Sequence, residues 1–300
     1  MALVRLNYYL DPSQGGITHY TPGTAGILRR KFDTQEVRIQ DLRGQEDKFN
    51  FHQSSFQVSK FDIDMEGKTN DEMKRDIYPQ AEEFIKKITG ASRVVCFSHL
   101  IRRDTVESNR EALSALEAST REDSPIADNH GFGKVVPARF AHIDQSPVGA
   151  YTLLKDNLPE EAETLSKTRW GTTNIWRPLK TIRRDPLALC DSRTLRDEDL
   201  AIVESILPPK GSGNGYYDTV SKGDGFQTLE IKANPEHKWY YVSNLMPEEC
   251  LVFKIHDSKK SIQGRCPHTS FPDLNDEGDV SARENIEFRF FVFYEDQPAE

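Results

Sequence analysis

The chain has 300 residues, of which 36% are hydrophobic and 10% aromatic, so it is long enough to bury a sizeable core as one large domain or two small ones. The formal net charge of -9 argues against a general nucleic-acid or anionic-membrane surface, because an acidic protein offers neither partner a counter-charge. No basic segment followed by an apolar one opens the sequence, and no apolar run has the length of a membrane span. These features predict a soluble, cytoplasmic protein.

In residues 1–60, short runs rich in β-forming residues alternate with glycine, proline, aspartate and asparagine. This pattern predicts an antiparallel β region. A helix is expected over residues 78–90, because Pro79 suits a first helical turn, apolar residues recur at helical spacing and Gly90 is a natural stop. Residues 92–101 then have the composition of a buried strand.

Two segments are predicted to lie at the surface, where they could act as lids over a site. Residues 102–131 are polar and rich in charge, which indicates a mobile surface insertion with some helical character. Residues 211–225 are rich in glycine, but no Lys-Ser/Thr pair follows the glycines as in a phosphate-binding loop. We therefore expect a flexible loop at residues 208–228, near a site entrance.

The second half mixes helices and strands. Two helical pieces are predicted within residues 149–167, and one helix is predicted over residues 194–207 with Thr194 as its cap. Strands are predicted at residues 171–180, 227–233, 238–244, 249–257 and 285–295. Because strands dominate both ends and helices lie between them, the pattern indicates a β-sandwich or barrel with helices packed outside it.

The four cysteines are widely separated and form no C-x-x-C pair: Cys96, Cys190, Cys250 and Cys266. Such spacing indicates neither a zinc knuckle nor a disulfide framework. We expect free thiols that are mostly buried.

His142 and Asp144 lie two positions apart in the apolar run VVPARFAHIDQ. Residues two apart on a β-strand point to the same face, so these two side chains could share a metal ion. The triplet also arises easily by chance in a chain with 8 histidines and 48 acidic residues. The spacing alone leaves open whether they are ligands.

A non-haem iron centre of the two-histidine, one-carboxylate type needs another histidine from elsewhere in the chain. His237 lies in a polar turn, where a solvated or capping role is expected. His256 ends a predicted strand and precedes Arg265 by nine positions, whereas His268 precedes Arg283 by fifteen positions. These residues leave His256 and His268 as alternatives.

Arg283, Asn285, Glu287 and Arg289 share one face if they lie on a strand. An inward-pointing guanidinium suits a dicarboxylate cosubstrate, because its fork matches a carboxylate in two parallel hydrogen bonds. An ordinary surface ladder between Arg283 and Glu287 is the alternative.

Asn174 and Arg177 flank Trp176 on another predicted strand. A core tryptophan beside a structural arginine explains this pattern as well as a pocket wall does. We retain Asn174 and Arg177 as candidate contacts for a cosubstrate or substrate.

Several long strings of residues together carry a family resemblance: residues 174–195, 233–259, 268–271 and 282–295. They resemble the gibberellin desaturase and cephem methoxylase group of iron- and 2-oxoglutarate-dependent oxygenases, which is found mostly in fungal secondary metabolism. The similarity runs from about residue 135 to the end and more faintly through the front half.

The resemblance implies a mainly β fold with α elements, in which a double-stranded β-helix (jelly-roll, cupin-like) core is flanked by helices. It implies a single oxygenase domain over residues 1–300, with the jelly roll mainly in residues 135–295. Fe(II) would be bound by His142, Asp144 and His268, which decides between the two distal histidines in favour of His268.

The same resemblance implies that Arg283 grips 2-oxoglutarate. Asn285 stands where serine is usual, and its amide can still donate a hydrogen bond to a carboxylate. Arg289, Asn174 and Arg177 are further candidates for cosubstrate contacts. With O2 as the oxidant, the expected reaction is hydroxylation, desaturation or oxidative ring formation on a small natural-product intermediate or an amino acid. A metal-dependent hydrolase and a non-catalytic binding protein on the same kind of barrel are the alternatives.

Overall fold

The structure is a computed structural model, and it describes residues 1–120, 125–208, 223–262, 264–272 and 281–299. Within these residues fourteen strands form two sheets. The strands are β1 (Ala2–Tyr8), β2 (His19–Tyr20), β3 (Asp33–Asp41), β4 (Phe56–Lys60), β5 (Arg93–Arg102), β6 (His142–Ile143), β7 (Thr168–Pro178), β8 (Leu187–Cys190), β9 (Leu200–Ile206), β10 (Gly225–Ile231), β11 (Trp239–Tyr241), β12 (Glu249–Asp257), β13 (His268–Ser270) and β14 (Asn285–Pro298).

The larger sheet has nine strands in the order β1-β3-β11-β8-β13-β6-β10-β9-β2, and the smaller has five in the order β4-β12-β7-β14-β5. Most neighbours are antiparallel, and the exceptions are β3 with β11 and β2 with β9. The strands predicted in the second half of the chain are confirmed as β7, β10, β11, β12 and β14. The antiparallel β region expected at the start is confirmed by β1 and β3, which pair from Ala2 opposite Ile39 to Tyr8 opposite Asp33.

The helices within the described residues are short, and they lie at α1 (Ala25–Arg29), α2 (Phe51–Ser54), α3 (Asn70–Glu72), α4 (Tyr78–Thr89), α5 (Val106–Ser119), α6 (Pro147–Asn157) and α7 (Ala162–Leu165). A π turn at Met73–Ile77 joins α3 to α4. Helix α4 is confirmed with Pro79 in its first turn, and it ends at Gly90, which adopts the left-handed conformation (φ 70°) that favours glycine. The two helical pieces expected within residues 149–167 are confirmed as α6 and α7.

The helix predicted over residues 194–207 is wrong, because this segment forms a 3-10 turn at Asp197–Asp199 followed by strand β9. Burial alternates along β9 with the period of two that defines a half-buried strand, and β10 supplies its hydrogen-bonding partner. Thr194 caps no helix there, because its hydroxyl donates to the carbonyl of Asp191 at 2.8 Å.

Residues 102–131 begin at the end of β5 and contain helix α5. Val106, Asn109 and Leu113 of this helix are buried, so α5 packs against the rest of the protein through one side. Residues 121–124 of the segment lie outside the described residues. Most of the glycine-rich loop expected at residues 208–228 also lies outside them.

Strand β14 lies inside the smaller sheet and is buried on both faces. Phe288 and Phe290 point to the face that packs against Ala81 and Ile85 of α4. Burying each phenylalanine stabilises the fold by roughly 1.5–3 kcal/mol, which helps to offset the cost of burying polar groups on the other face. That other face, with Glu287 and Arg289, is turned towards the larger sheet.

The four cysteines are free and buried, as the sequence predicts. Among the residues that the structure describes, no helix has the length and apolar character to cross a membrane.

Gly149 sets how closely α6 approaches β10. A Cβ at this position would lie 2.0 Å from the backbone carbonyl oxygen of Gln227. We therefore predict that Gly149→Ala lowers the free energy of unfolding by about 1–3 kcal/mol through overpacking. Lys155→Ala on the exposed side of the same helix is the control and should have little effect. Urea unfolding followed by circular dichroism measures both, and equal midpoints for the two variants would contradict this packing.

Candidate metal centre

Three side chains that could bind a metal converge between the two sheets. Strands β6 and β13 are antiparallel neighbours that place His142 directly opposite His268, and Asp144 follows two residues later. Potential ligand atoms of the three residues lie within 4.8 Å of one another. The nearer carboxylate oxygen of Asp144, Oδ1, is 3.4 Å from Nε2 of His142 and 3.5 Å from Nε2 of His268.

Backbone carbonyls orient both imidazoles. The Nδ1 atom of His142 lies 2.8 Å from the carbonyl oxygen of Phe140, and the Nδ1 atom of His268 lies 3.1 Å from that of Cys266. A carbonyl oxygen can only accept, so each Nδ1 must carry the donated proton. Each Nε2 is therefore left to bind a cation, and both Nε2 atoms face Asp144.

The second carboxylate oxygen of Asp144, Oδ2, is held from the smaller sheet. Asn174 on β7 donates to it at 2.7 Å, and Nε of Arg289 on β14 lies at 3.5 Å. Because Oδ2 has these two partners, Oδ1 is the oxygen that is directed to the histidines. The structure thus brings together five of the predicted site residues: His142, Asp144, His268, Asn174 and Arg289.

Glu287 contacts Asn174 and Arg289, the two residues that contact Oδ2 of Asp144. Its Oε1 atom accepts from the same Nδ2 atom of Asn174 at 2.8 Å and pairs with the guanidinium of Arg289 at 3.1 Å. Its Oε2 atom accepts from Arg102 on β5 at 3.1 Å. Asn174 and Arg289 therefore bridge the carboxylates of Asp144 and Glu287, which restricts their orientation.

The charges of the cluster suit a divalent cation. Burial alone raises the pKa of Asp144, but the neighbouring imidazoles of His142 and His268 and the charge of Arg289 outweigh burial and hold that pKa well below its usual range. Burial lowers the pKa of His268, whereas the Asp144 carboxylate outweighs burial and raises it overall. An ionised carboxylate beside two imidazole nitrogens is a donor set that first-row transition metals accept.

Two cavities adjoin the cluster. A cavity of about 420 Å³ is lined by His142 and Asp144 together with apolar side chains such as Val106 and Phe226. A second cavity of about 20 Å³ is lined by His142, His268, Arg283, Glu287 and Trp176 among others. The cluster therefore lies between a large space and a small one.

The comparisons with known proteins agree with this architecture. Residues 6–293 match the family described as "YDMC: Oxidoreductase/YMDC permease-like domain". Over 298 residues the chain is 40% identical to "Hydroxylase/desaturase efuI" of Hormonema carpetanum, covering 98% of this chain and 96% of that protein. It is 28% identical to "Gibberellin cluster GA4 desaturase" of Gibberella fujikuroi, covering 91% of this chain and 92% of that protein.

The chain belongs to this oxidoreductase family of hydroxylases and desaturases. The family resemblance stated from the sequence is thereby confirmed. A solved structure, "iron and alpha-ketoglutarate-dependent endoperoxidase NvfI with different conformation", matches with a TM-score of 0.74 at 22% identity over 97% of each chain. This likeness confirms the expected fold class, a jelly-roll core flanked by helices.

Arg283 lies in the wall of the small cavity. It is 4% exposed, and its NH1 atom donates to the carbonyl oxygen of Asp185 at 2.6 Å. Burial, followed by repulsion from Arg102, lowers the pKa of Arg283 to about 9. Within the described residues no carboxylate forms an ion pair with Arg283, and its Nε atom is buried without a hydrogen-bond partner. A buried guanidinium in this state favours an anionic ligand.

Asn285 and Arg177, the remaining predicted cosubstrate contacts, differ in whether they face the cluster. Asn285 is fully buried on the same face of β14 as Glu287, and neither polar atom of its amide has a hydrogen-bond partner among the described residues. Arg177 lies on the opposite face of β7 from Asn174, opposite Ile286 in the register, because the two are an odd number of residues apart. The structure therefore does not bring Arg177 to the cluster.

The other candidate histidines also lie elsewhere. His256 packs its ring against Trp170, with ring centroids 5.0 Å apart. His237 is buried rather than solvated, and its Nε2 atom lies 3.0 Å from the carboxylate of Asp199. His268 is thus the distal histidine that completes the cluster within the described residues.

A buried ion pair that was not predicted from the sequence joins Arg30, which lines the large cavity, to Glu230. Arg30 donates to both carboxylate oxygens of Glu230 at 2.8 and 2.6 Å, and its guanidinium lies 4.3 Å from the ring of Phe32. Glu230 sits opposite His142 in the register of β10 and β6. A charged residue within an apolar alternating strand was a signal for Glu230, but its partner lies 200 residues away.

The pH dependence of stability tests the placement of His256. Burial lowers the pKa of His256 from 6.5 to about 4, so its contribution to stability is complete above pH 6.5 and is lost as pH falls towards 4, where the unfolded chain alone takes up the proton. We predict that the free energy of unfolding falls more steeply between these pH values in the wild type than in His256→Leu. His19→Leu, at an exposed position, should keep the wild-type slope. Parallel curves for the wild type and His256→Leu in urea titrations would contradict the burial.

Proposed function

We propose that the protein is an iron- and 2-oxoglutarate-dependent oxygenase in which His142, Asp144 and His268 bind Fe(II). The observation that carries this proposal is the convergence of two imidazoles and one carboxylate, whose potential ligand atoms all lie within 4.8 Å of one another. Two imidazoles and one carboxylate on one side of a metal leave neighbouring positions open, which is the ligand set of non-haem iron oxygenases. The names of the relatives support it, since one is called "Alpha-ketoglutarate-dependent dioxygenase phiK".

We propose that 2-oxoglutarate binds between the metal centre and Arg283, with its distal carboxylate on Arg283. The cavity of about 20 Å³ lies on this path, and because that volume holds only about one water molecule, the side chains around it must shift to admit the cosubstrate. The cavity is lined by two of the metal-binding candidates, His142 and His268, and by the guanidinium of Arg283, which has no carboxylate partner among the described residues. Arg283 also lies 5.2 Å from the ring of Trp176, which restricts the orientation of its fork. Asn285, whose amide has no hydrogen-bond partner among the described residues, is the further candidate for a cosubstrate contact.

When bound, iron supplies the oxidising chemistry: O2 is reduced, 2-oxoglutarate is oxidised to succinate and carbon dioxide, and hydrogen is removed from a C–H bond of the substrate. The residues of this chain then have three tasks. Asn174 and Arg289 fix Asp144 so that one oxygen faces the metal. Arg283 neutralises and orients the cosubstrate, and the walls of the large cavity place the substrate beside His142 and Asp144.

The large cavity favours a natural-product intermediate over an amino acid. Much of its wall is apolar or aromatic, and the charged side chains in it include Arg30, Arg102, Arg110 and Arg139. Among the described lining residues Asp144 is the only carboxylate, and the metal site already uses it. A substrate ammonium group would therefore find no free carboxylate among the described lining residues, whereas carbonyl, hydroxyl or carboxylate oxygens would find donors. Hydroxylation, desaturation and oxidative ring formation all remain compatible with this pocket.

We further propose that residues 1–300 act as a single oxygenase domain with its jelly roll mainly in residues 135–295, and that the enzyme is cytoplasmic. The acidic net charge of -9 supports a small-molecule partner rather than nucleic acid or an anionic membrane. The segment at residues 102–131 contributes to the same site, because Val106 and Arg110 of α5 form part of the wall of the large cavity.

The reaction class is tested by incubating the protein with Fe(II), ascorbate and 2-oxoglutarate under air, with a panel of polyketide or terpenoid acids and amino acids. We predict succinate formation coupled to O2 uptake, strongest with a natural-product acid. His268→Ala and Asp144→Ala should each reduce succinate formation at least about 100-fold and weaken Mn(II) binding, because a ligand is lost. His52→Ala, at an exposed position, is the control and should change neither quantity. A hydrolase would produce neither succinate nor O2 uptake, and that result would overturn the proposal.

A further inference from the structure

Asp185 has an unusual backbone conformation for its sequence context. Its φ is 49°, in the left-handed region, and it is one of three non-glycine residues with positive φ in the described part of the chain. The next residue is Pro186, and a residue before proline ordinarily adopts extended backbone. Aspartate tolerates the left-handed region better than most residues, yet such a conformation persists only where its surroundings enforce it.

The carbonyl of Asp185 is a direct partner of Arg283. It accepts from NH1 of Arg283 at 2.6 Å. The direction of this carbonyl follows from the φ and ψ angles around Asp185, so the left-handed conformation determines where the guanidinium of Arg283 is held. Arg283 has no paired carboxylate among the described residues, which makes this carbonyl a principal support of its position.

The carboxylate of Asp185 contacts an arginine in the wall of the large cavity. It is 1% exposed and accepts from Nε and NH2 of Arg139 at 2.7 and 3.0 Å, in a two-point ion pair. Arg139 lines the large cavity, and its NH1 atom also donates to Glu107 of α5 at 2.6 Å. Asp185 therefore contacts one arginine in the wall of each cavity.

We infer that Asp185 is a positioning residue shared by the cosubstrate and substrate pockets, holding Arg283 through its carbonyl and Arg139 through its carboxylate. This inference rests on the proposed role of Arg283 as the anchor of 2-oxoglutarate. The ion pair with Arg139 keeps the side chain of Asp185 in place and so maintains its left-handed backbone. Loss of that side chain allows the segment before Pro186 to relax towards extended backbone, which turns the carbonyl away from Arg283.

The test measures 2-oxoglutarate binding by isothermal titration calorimetry on the full chain loaded with Mn(II), which binds without turnover. We predict that Asp185→Ala weakens 2-oxoglutarate binding at least about tenfold. Asp185→Asn should weaken binding less, by about threefold, because asparagine also tolerates the left-handed region and still offers an acceptor to Arg139. The affinity for Mn(II), measured without 2-oxoglutarate, should stay the same in all variants.

Asn244→Ala is the matched control. Asn244 also has positive φ (47°), and its carbonyl also accepts from an arginine, Arg43, at 3.2 Å, but it lines neither cavity. Its substitution should leave 2-oxoglutarate binding unchanged whatever it does to thermal stability. A general loss of stability is thereby separated from a loss of positioning.

A folded Asp185→Ala variant that binds 2-oxoglutarate within about twofold of the wild type would overturn the inference. If Asp185→Ala does not fold, Asp185→Asn decides, and wild-type affinity in that variant would overturn it as well. The proposed function fails in a different way: the wild type would bind no 2-oxoglutarate, or Arg283→Ala would bind it as tightly as the wild type.

Discussion

The carboxylate of Asp144 has two oxygens with different partners, and the rest of the site depends on that division. Asn174 and Arg289 hold Oδ2 from the smaller sheet, whereas Oδ1 faces the imidazoles of His142 and His268 on the larger sheet. The contact therefore needs both sheets to pack face to face at a fixed distance. The hydrophobic clusters between the sheets and beneath β14 supply that packing, so the stability of the fold and the geometry of the site are linked.

Buried charge is concentrated around this contact, and most of it is paired. Glu287 accepts from Asn174, Arg289 and Arg102, and Arg30 is paired with Glu230 nearby. Removing one partner from such a pair leaves an uncompensated buried charge, which is strongly destabilising. Arg283 departs from this pattern within the described residues, since a backbone carbonyl rather than a carboxylate supports it. The protein carries the cost of that desolvation, and an anionic cosubstrate would reduce it when bound.

Some residues of the site could be predicted from local sequence pattern and others could not, for physical reasons. The period of two along a strand was enough to place His142 and Asp144 on one face, and the same rule applied to Asn174 would have excluded Arg177. His268 could not be chosen over His256 from local pattern, because the pairing of β13 with β6 joins residues distant in the chain, and the family resemblance was needed. The error over residues 194–207 arose because acidic residues resembling a helix start precede a strand whose partner, β10, comes later in the chain. The left-handed backbone of Asp185 is a tertiary effect that leaves no local signal, and Glu230 could not be matched with Arg30 because the two lie 200 residues apart in the chain.

In the proposed centre, one oxygen of Asp144 and the Nε2 atoms of both histidines bind a single metal ion. The most direct measurement is anomalous diffraction at the iron edge from crystals soaked with Fe(II) without oxygen. We expect one strong iron peak within bonding distance of Nε2 of His142, Nε2 of His268 and Oδ1 of Asp144, with Oδ2 still accepting from Asn174. An iron peak away from these atoms, or bonding through Oδ2 with Asn174 displaced, would contradict it.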